Sequence, residues 1–133
     1  MSLKNAFAAV LKAMRSGKGL TQRNLAEVSS RTYVSKLERG QSSPTLEMIT
    51  ALSGQLNVNP LTLVAITLCA ESGQPVNALL RQTQEELAGL TRDGILKNLT
   101  TSSGDELLVA SHSRPPSNRS ATNALQVELS FAE

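Results

Sequence analysis

The chain has 133 residues, 40% hydrophobic and 18% charged, with a net charge of +2, so we expect one compact domain, alone or with an interaction arm. Its single cysteine, Cys69, and single histidine, His112, exclude disulfide frameworks, multi-cysteine metal sites and His-based catalytic clusters, and we predict a cytoplasmic protein that is no enzyme and holds no cofactor. Only 2% of residues are aromatic, which disfavours readers of single-stranded nucleic acid, because these stack bases on aromatic rings.

Five helices are predicted in the first 70 residues, because apolar residues repeat at helical spacing between capping and breaking residues. The first helix carries its apolar stripe from Leu3 to Met14, and Gly17 and Gly19 end it. The next four are predicted to begin at Thr21, at Ser30, at Pro44 with Thr45, and at Asn59 with Pro60. The fourth is predicted to have one apolar side formed by Leu46, Ile49, Leu52 and Leu56. These assignments predict a compact all-α core.

The fifth predicted helix is apolar on nearly all sides over residues 61–70. This run is about half of the roughly 20 residues that a membrane span needs. Gly54 and Pro60 also interrupt the uncharged stretch before it. We therefore predict that the chain has no membrane segment.

Beyond Gly73 the sequence predicts an amphipathic helix over residues 75–90, with Glu85 and Glu86 on its polar side. The candidate oligomerisation residues on its apolar side are Leu79, Leu80, Leu87 and Leu90. This side covers either its own domain or a second subunit, and we favour the intersubunit seam. Thr91 is predicted to cap one more short turn, which holds Ile95, Leu96 and Leu99.

Two linkers rich in Ser, Thr, Asn and Pro are predicted at residues 100–104 and 114–123, with apolar islands at 107–110 and 125–131. The second island alternates apolar and polar residues, which is the period of a strand. A short β-hairpin formed by the two islands would be marginally stable alone. It would therefore need the acidic helix or another subunit as a partner surface.

The charge of the chain is divided unevenly between its halves. Residues 1–60 carry eight Lys or Arg and three Glu, a surplus of five positive charges. Residues 61–133 carry five Lys or Arg and eight Asp or Glu, a surplus of three negative charges, which leaves the net +2. A basic first half favours a polyanionic partner.

The predicted third helix has two different faces at about 100° per residue. Val34 and Leu37 lie on one face, and the opposite face carries Arg31, Thr32, Ser35 and Lys36. An α-helix fits the major groove of DNA, where Arg or Lys contacts guanine and a Thr methyl contacts thymine. This pattern predicts a helix that is anchored on one side, and by itself it leaves two interpretations of the other side, ordinary solvated charges or contacts to double-stranded DNA.

Three motifs in this region carry a family resemblance: LTQRNLAE (20–27), SRTYVSKLERG (30–40) and SPTLEMITALSGQLNVNPLTL (43–63). Together they resemble the Cro/cI-type helix-turn-helix family, also called the xenobiotic-response-element (XRE) family, of bacterial and phage regulators, over residues 4–66. The resemblance implies a mainly α fold with a five-helix, lambda-repressor-like DNA-binding domain. The helix that starts near Thr21 would cross the DNA backbone, and the helix that starts near Ser30 would be the recognition helix.

The resemblance also assigns roles to individual residues by position. It implies base contacts by Arg31, Thr32 and Lys36. It implies backbone contacts by Thr21, Gln22, Ser30, Tyr33, Arg39, Gln41 and Ser43. It implies a structural ion pair between Arg15 and Glu38, which ties the first helix to the recognition helix.

The turn between the two short helices departs from the family pattern. The family writes roughly LAxxxGIS, whereas LAEVSS here runs directly into Arg31, two residues shorter and without the turn glycine. Either residues 28–30 unwind to make the bend, or the angle between the helices is altered.

These observations predict a DNA-binding domain at residues 1–70 and an oligomerisation or interaction region at 71–133. The predicted function is sequence-specific regulation of transcription by a homodimer or tetramer that binds palindromic operators in double-stranded DNA. The alternative is a protein-interaction module on the same fold, an antitoxin or adaptor, whose C-terminal region holds a protein partner.

Overall fold

The computed structural model of the protein describes residues 1–99, which are mainly α-helical. The six helices in this part of the chain are α1 (Leu3–Gly17), α2 (Gln22–Leu25), α3 (Arg31–Glu38), α4 (Leu46–Leu56), α5 (Pro60–Ser72) and α6 (Val76–Arg92). Two short 3-10 turns, Ala26–Val28 and Ile95–Asn98, complete it. The predicted five-helix domain and the amphipathic helix after it are therefore confirmed. The predicted linkers, the β-hairpin and His112 lie outside the described residues.

The chain divides into two units, Met1–Arg81 and Gln82–Glu133. The first unit contains α1 to α5 and the start of α6, and the described part of the second contains the rest of α6 and the last 3-10 turn. The functional division at residue 70 stays a prediction.

The starts of α1 to α5 are fixed by side-chain caps, of which the sequence predicts Thr21, Ser30 and Asn59. The Oγ or Oδ1 atoms of Ser2, Thr21, Ser30, Thr45 and Asn59 each accept a backbone N–H of the first turn, at 2.7–3.1 Å. At α2, Asn24 completes a capping box by accepting the N–H of Thr21 at 2.8 Å. Each cap satisfies a donor that the helix leaves unpaired, and it is worth about 1 kcal/mol.

The core of the first unit is mainly aliphatic, with Phe7 as a buried aromatic residue, and it draws on all five of the unit's complete helices. The fully buried apolar side chains, each with 0% exposure, include Leu11, Leu25, Val34, Leu37, Leu52, Leu56 and Leu63. The prediction that Val34 and Leu37 anchor α3 is confirmed. Full burial of Val34 and of Leu37 stabilises the packing of α3 by about 1.5–3 kcal/mol for each side chain.

Two local predictions from the sequence are wrong. Leu46 was predicted on the apolar side of α4, but it is 76% exposed. Leu46 is the first residue of α4, and it lies outside the core. Leu52 and Leu56, more than one turn further along the helix, fill the core. Thr91 does not cap a turn, because α6 continues through it and its hydroxyl donates to the Leu87 carbonyl at 2.8 Å.

The connection between α2 and α3 is made by unwinding, which was one of the two predicted alternatives. After the 3-10 turn Ala26–Val28, Ser29 is extended, with φ −160° and ψ −153°, and Ser30 follows at φ −109° and ψ 153°. Within the described residues, the positive-φ positions all lie outside 26–30. The bend therefore needs no left-handed residue, so the missing turn glycine carries no strain here.

None of the helices in residues 1–99 is by itself long and apolar enough to cross a membrane. Within these residues, only α5 and α6 taken together as a bent pair reach the required length and apolar composition. The apolar sequence of α5 has a role within the first unit, where Leu63, Ala65, Thr67 and Cys69 are buried.

Candidate nucleic-acid interface

The outer face of α3 is exposed and carries unpaired cations. The side chains of Arg31, Thr32, Lys36 and Arg39 are exposed. Within the described residues, none of these four side chains makes a hydrogen bond or an ion pair. Val34 and Leu37 hold the opposite face of the helix in the core. The predicted base-reading residues therefore stand together on one anchored surface.

The ion pair predicted between Arg15 and Glu38 is present and joins α1 to α3. Arg15 Nε donates to Glu38 Oε2 at 2.6 Å, and its terminal nitrogen Nη2 donates to Oε1 at 3.0 Å. A third donor of Arg15, Nη1, reaches the Leu20 carbonyl at 2.9 Å. The hydrogen bond to Glu38, with the attraction between the two charges, raises the pKa of Arg15 above its ordinary value, against the opposing effect of burial. The guanidinium therefore stays charged at every working pH.

Gln22 connects α2 to the same carboxylate. Its Nε2 atom donates to Glu38 Oε1 at 3.0 Å. A carboxylate only accepts hydrogen bonds, so this contact fixes which end of the amide faces Glu38 and leaves the second hydrogen of Nε2 for another acceptor. The Glu38 side chain is 3% exposed. The three helices α1, α2 and α3 are therefore held in one arrangement by one almost fully buried group.

The hydroxyls expected to touch DNA phosphates differ in what they have left to donate. Thr21 donates its hydroxyl to Asn24 Oδ1 at 3.0 Å and accepts the Asn24 N–H at 3.1 Å. Ser30 accepts the Tyr33 N–H at 3.1 Å, and within the described residues its hydroxyl hydrogen has no acceptor. Tyr33 donates its hydroxyl to the Ser43 carbonyl at 3.5 Å. Ser30 is therefore the hydroxyl of these three that is ready for a phosphate.

The segment after α3 is shaped by Gly40. This residue has φ +72°, a left-handed conformation that suits glycine, and a Cβ at this position would overlap the side-chain oxygen of Asn5 on α1. Gln41 follows it, with its N–H bonded to the Lys36 carbonyl at 2.9 Å. The side chains of Gln41 and Ser43 are exposed, as phosphate contacts require. The close approach of Gly40 to Asn5 is a contact between distant residues that the sequence pattern did not reveal.

Two adjoining polar hollows run along the start of α2 and the outer face of α3. The first is lined by Arg15, Thr21, Gln22, Arg23 and Arg31. The second is lined by Gln22, Arg31, Thr32, Ser35 and Arg39. Gln22 and Arg31 line both, so the hollows form one continuous surface. Arg23 is a member of this surface that the sequence analysis missed, because a single exposed arginine on a short helix has no distinguishing pattern.

The candidate oligomerisation residues lie along α6, which has no buried residue within its described length. In the first unit, Leu79 is half-buried and Leu80 is 39% exposed. In the second unit, Leu87 is 39% exposed and Leu90 is half-buried. The apolar side of α6 is therefore incompletely covered, and its role as a seam stays a prediction.

A family model for helix-turn-helix proteins matches residues 11–63 of the chain. No curated protein matches this chain.

Several solved structures are similar to the chain. The clp gene regulator ClgR from Corynebacterium glutamicum is 30% identical, with a TM-score of 0.51, and the match covers 56% of this chain and 99% of ClgR. The restriction-modification controller protein C.AhdI from Aeromonas hydrophila is 37% identical, with a TM-score of 0.43, over 45% of this chain and 94% of C.AhdI. The controller protein C.Esp1396I, solved as a tetramer with its natural 35-base-pair operator, is 28% identical, with a TM-score of 0.48, over 53% of this chain and 95% of that one.

Proposed function

Since the chain belongs to the Cro/cI-type helix-turn-helix (XRE) family of DNA-binding transcriptional regulators, we propose that it recognises palindromic operators as a homodimer or tetramer, with α3 in the major groove of each half-site. The observation that carries this proposal is the outer face of α3. Its cations have no partner within the described residues, while its inner face is fully buried. The outer face of α3 is held in place and its N–H donors are unused. Such a surface suits a nucleic acid, because the phosphate oxygens of its backbone are negatively charged acceptors.

Base recognition is assigned to Arg31, Thr32 and Lys36. Arg31 and Thr32 are the first two residues of α3, so they stand at the end of the helix that the family points into the groove. The positive end of the helix dipole lies there as well. Arg and Lys suit guanine O6 and N7, and the methyl group of Thr32 suits a thymine methyl.

The phosphate contacts set the register of α3 on the duplex without reading sequence. We assign them to Gln22, Ser30, Tyr33, Arg39, Gln41 and Ser43, with a weaker one at Thr21. Thr21 is the weakest because its hydroxyl would have to leave Asn24 in order to donate to a phosphate. Gln22 keeps one hydrogen of Nε2 for this purpose while the other holds Glu38.

Assembly of subunits is assigned to the exposed leucines of α6. A two-fold dimer presents two recognition helices about 34 Å apart, which matches two half-sites one helical turn apart. We propose that the chain works in the cytoplasm by binding, with no catalytic activity. Membership of a regulator family gives no support to the antitoxin or adaptor alternative.

Selection of bound sequences from a pool of random duplexes, followed by measurement of stoichiometry on the enriched site, tests this proposal. We expect a palindrome with half-sites about one turn apart and two or four chains for each site. An enriched site without internal symmetry would contradict the dimeric mode of binding. No enrichment at all would contradict specific DNA recognition.

A further inference from the structure

The first polar hollow, at the junction of α2 and α3, has a surplus of positive charge. Its lining includes three arginines and no acidic residue. The charge of Arg15 is balanced by Glu38, with which it forms the short ion pair. The charges of Arg23 and Arg31 are balanced by no ion pair within the described residues. Two unpaired guanidinium groups therefore line one hollow.

The hydrogen-bonding capacity of the hollow is also directed outward. Arginine presents a planar fork of N–H donors that fits the oxygens of a phosphate. Gln22, on the same lining, has its amide oriented by Glu38, so a further N–H of Nε2 is available. An anion with several acceptor oxygens would satisfy the donors of Arg23 and Gln22 at once.

The position of the hollow selects among anions. It adjoins the second hollow, which is lined by Thr32, Ser35 and Arg39 of the recognition surface, and the two share Gln22 and Arg31. A duplex that places its bases against Thr32 therefore brings its backbone past the first hollow. A DNA backbone phosphate fits this place better than a free metabolite does.

We infer that this hollow binds one backbone phosphate of the DNA through Arg23 and Gln22, with Arg31 left to contact the bases, and that Arg23 is a positioning residue of the interface. This inference rests on the proposed function. Arg23 fixes the register of the duplex beside α3, and it contributes affinity that is independent of base sequence.

The test is the salt dependence of duplex binding for the full chain and for Arg23→Gln, measured by fluorescence anisotropy on the selected operator and on a scrambled duplex. Each phosphate contact contributes about 0.9 to the slope of log affinity against log salt. We expect Arg23→Gln to make this slope less steep by about 0.9 on both duplexes, which corresponds to about an eightfold loss at 0.1 M salt that vanishes near 1 M. The ratio of the two affinities should not change.

Lys12→Gln is the matched control, because it removes the same charge from an exposed position on α1 that lines neither hollow. Its slope should equal that of the parent chain. Thermal unfolding of both variants confirms that the fold is kept, since Arg23 is exposed.

Four results would overturn the inference. An unchanged slope for Arg23→Gln, with the parent chain still binding the operator, rejects the phosphate contact and leaves the proposed function standing. A changed ratio between operator and scrambled duplex shows that Arg23 reads bases. Competition by inorganic phosphate at constant ionic strength that Arg23→Gln abolishes assigns the hollow to a free anion. Failure of the parent chain to bind any duplex rejects the inference together with the function on which it rests.

Discussion

Arg15 on α1 and Glu38 on α3 form a two-point ion pair, at 2.6 and 3.0 Å, in which the Glu38 side chain is only 3% exposed. The same carboxylate also accepts the amide of Gln22, the first residue of α2. Helix α3 is therefore oriented by a group at its C-terminal end, while Arg31 and Thr32 at its N-terminal end are exposed.

Replacing Glu38 by Gln keeps the shape of the side chain and removes its charge. Because Arg15 and Gln22 then lose a charged acceptor in a nearly buried place, we expect the free energy of unfolding to fall by about 1.5–3 kcal/mol. Urea denaturation at neutral pH measures this difference. Glu71→Gln, an exposed carboxylate on α5, is the control and should change stability by less than about 0.5 kcal/mol. Equal losses for the two variants would mean that the ion pair does not stabilise the fold.

Replacing Lys36 by Ala tests base reading by the exposed face of α3. We expect affinity for the selected operator to fall by about 1–3 kcal/mol and the preference at one base pair of each half-site to relax. Stability should not change, because the Lys36 side chain is exposed and contacts no charged partner within the described residues. Competition binding against operators altered at single positions gives the measurement. A loss that is the same for every sequence would place Lys36 on a phosphate instead.

Gly40 and Gly54 offer opposite results from the same substitution. Gly40 is left-handed and meets Asn5, so Gly40→Ala should destabilise the fold by about 1–2 kcal/mol or more. Gly54 lies inside α4 with no atom within 4 Å of an added Cβ, so Gly54→Ala should stabilise it by about 0.5–1 kcal/mol. Thermal unfolding of both variants provides the comparison. A Gly40→Ala variant as stable as the parent chain would contradict the left-handed conformation of residue 40.

Leu87 tests whether α6 joins subunits. Leu87→Glu places a charge on the exposed apolar side of the helix, so we expect sedimentation velocity to show a shift toward the monomer at micromolar concentration. Ala88→Glu adds the same charge to an exposed neighbour about 100° away around the helix and should leave the assembly unchanged. If both variants kept the parent's sedimentation coefficient, the seam would have to lie elsewhere.

The sequence predicted the features of this fold that depend on local spacing. Ser30 as a cap and Val34 and Leu37 as anchors follow from helical period and capping chemistry, and all three are found as expected. The period does not say where the core ends, so Leu46 matched the pattern and yet lies outside the core. Thr91 was predicted as a cap because its hydroxyl can cap a helix. The same hydroxyl can also bond to a carbonyl within a helix, and here it does so.

The candidate site was predictable to the extent that family position determines it. Gln22 and the exposed residues of α3 were identified, but the bond from Gln22 to Glu38 joins residues from different helices and required coordinates. Arg23 was missed because only the folded arrangement places it beside Arg31. The shortened turn between α2 and α3 was recognised from the sequence. Only the extended backbone of Ser29 showed that the turn is made by unwinding.

The most direct test of the central claim is to map the DNA contact surface in solution by the shifts of backbone amide signals as operator duplex is added to the isotope-labelled chain. We expect the largest changes on residues 30–39 and 41–43, with small changes along the buried side of α1. A duplex that binds while the amides of Arg31, Thr32 and Lys36 keep their positions would contradict that claim.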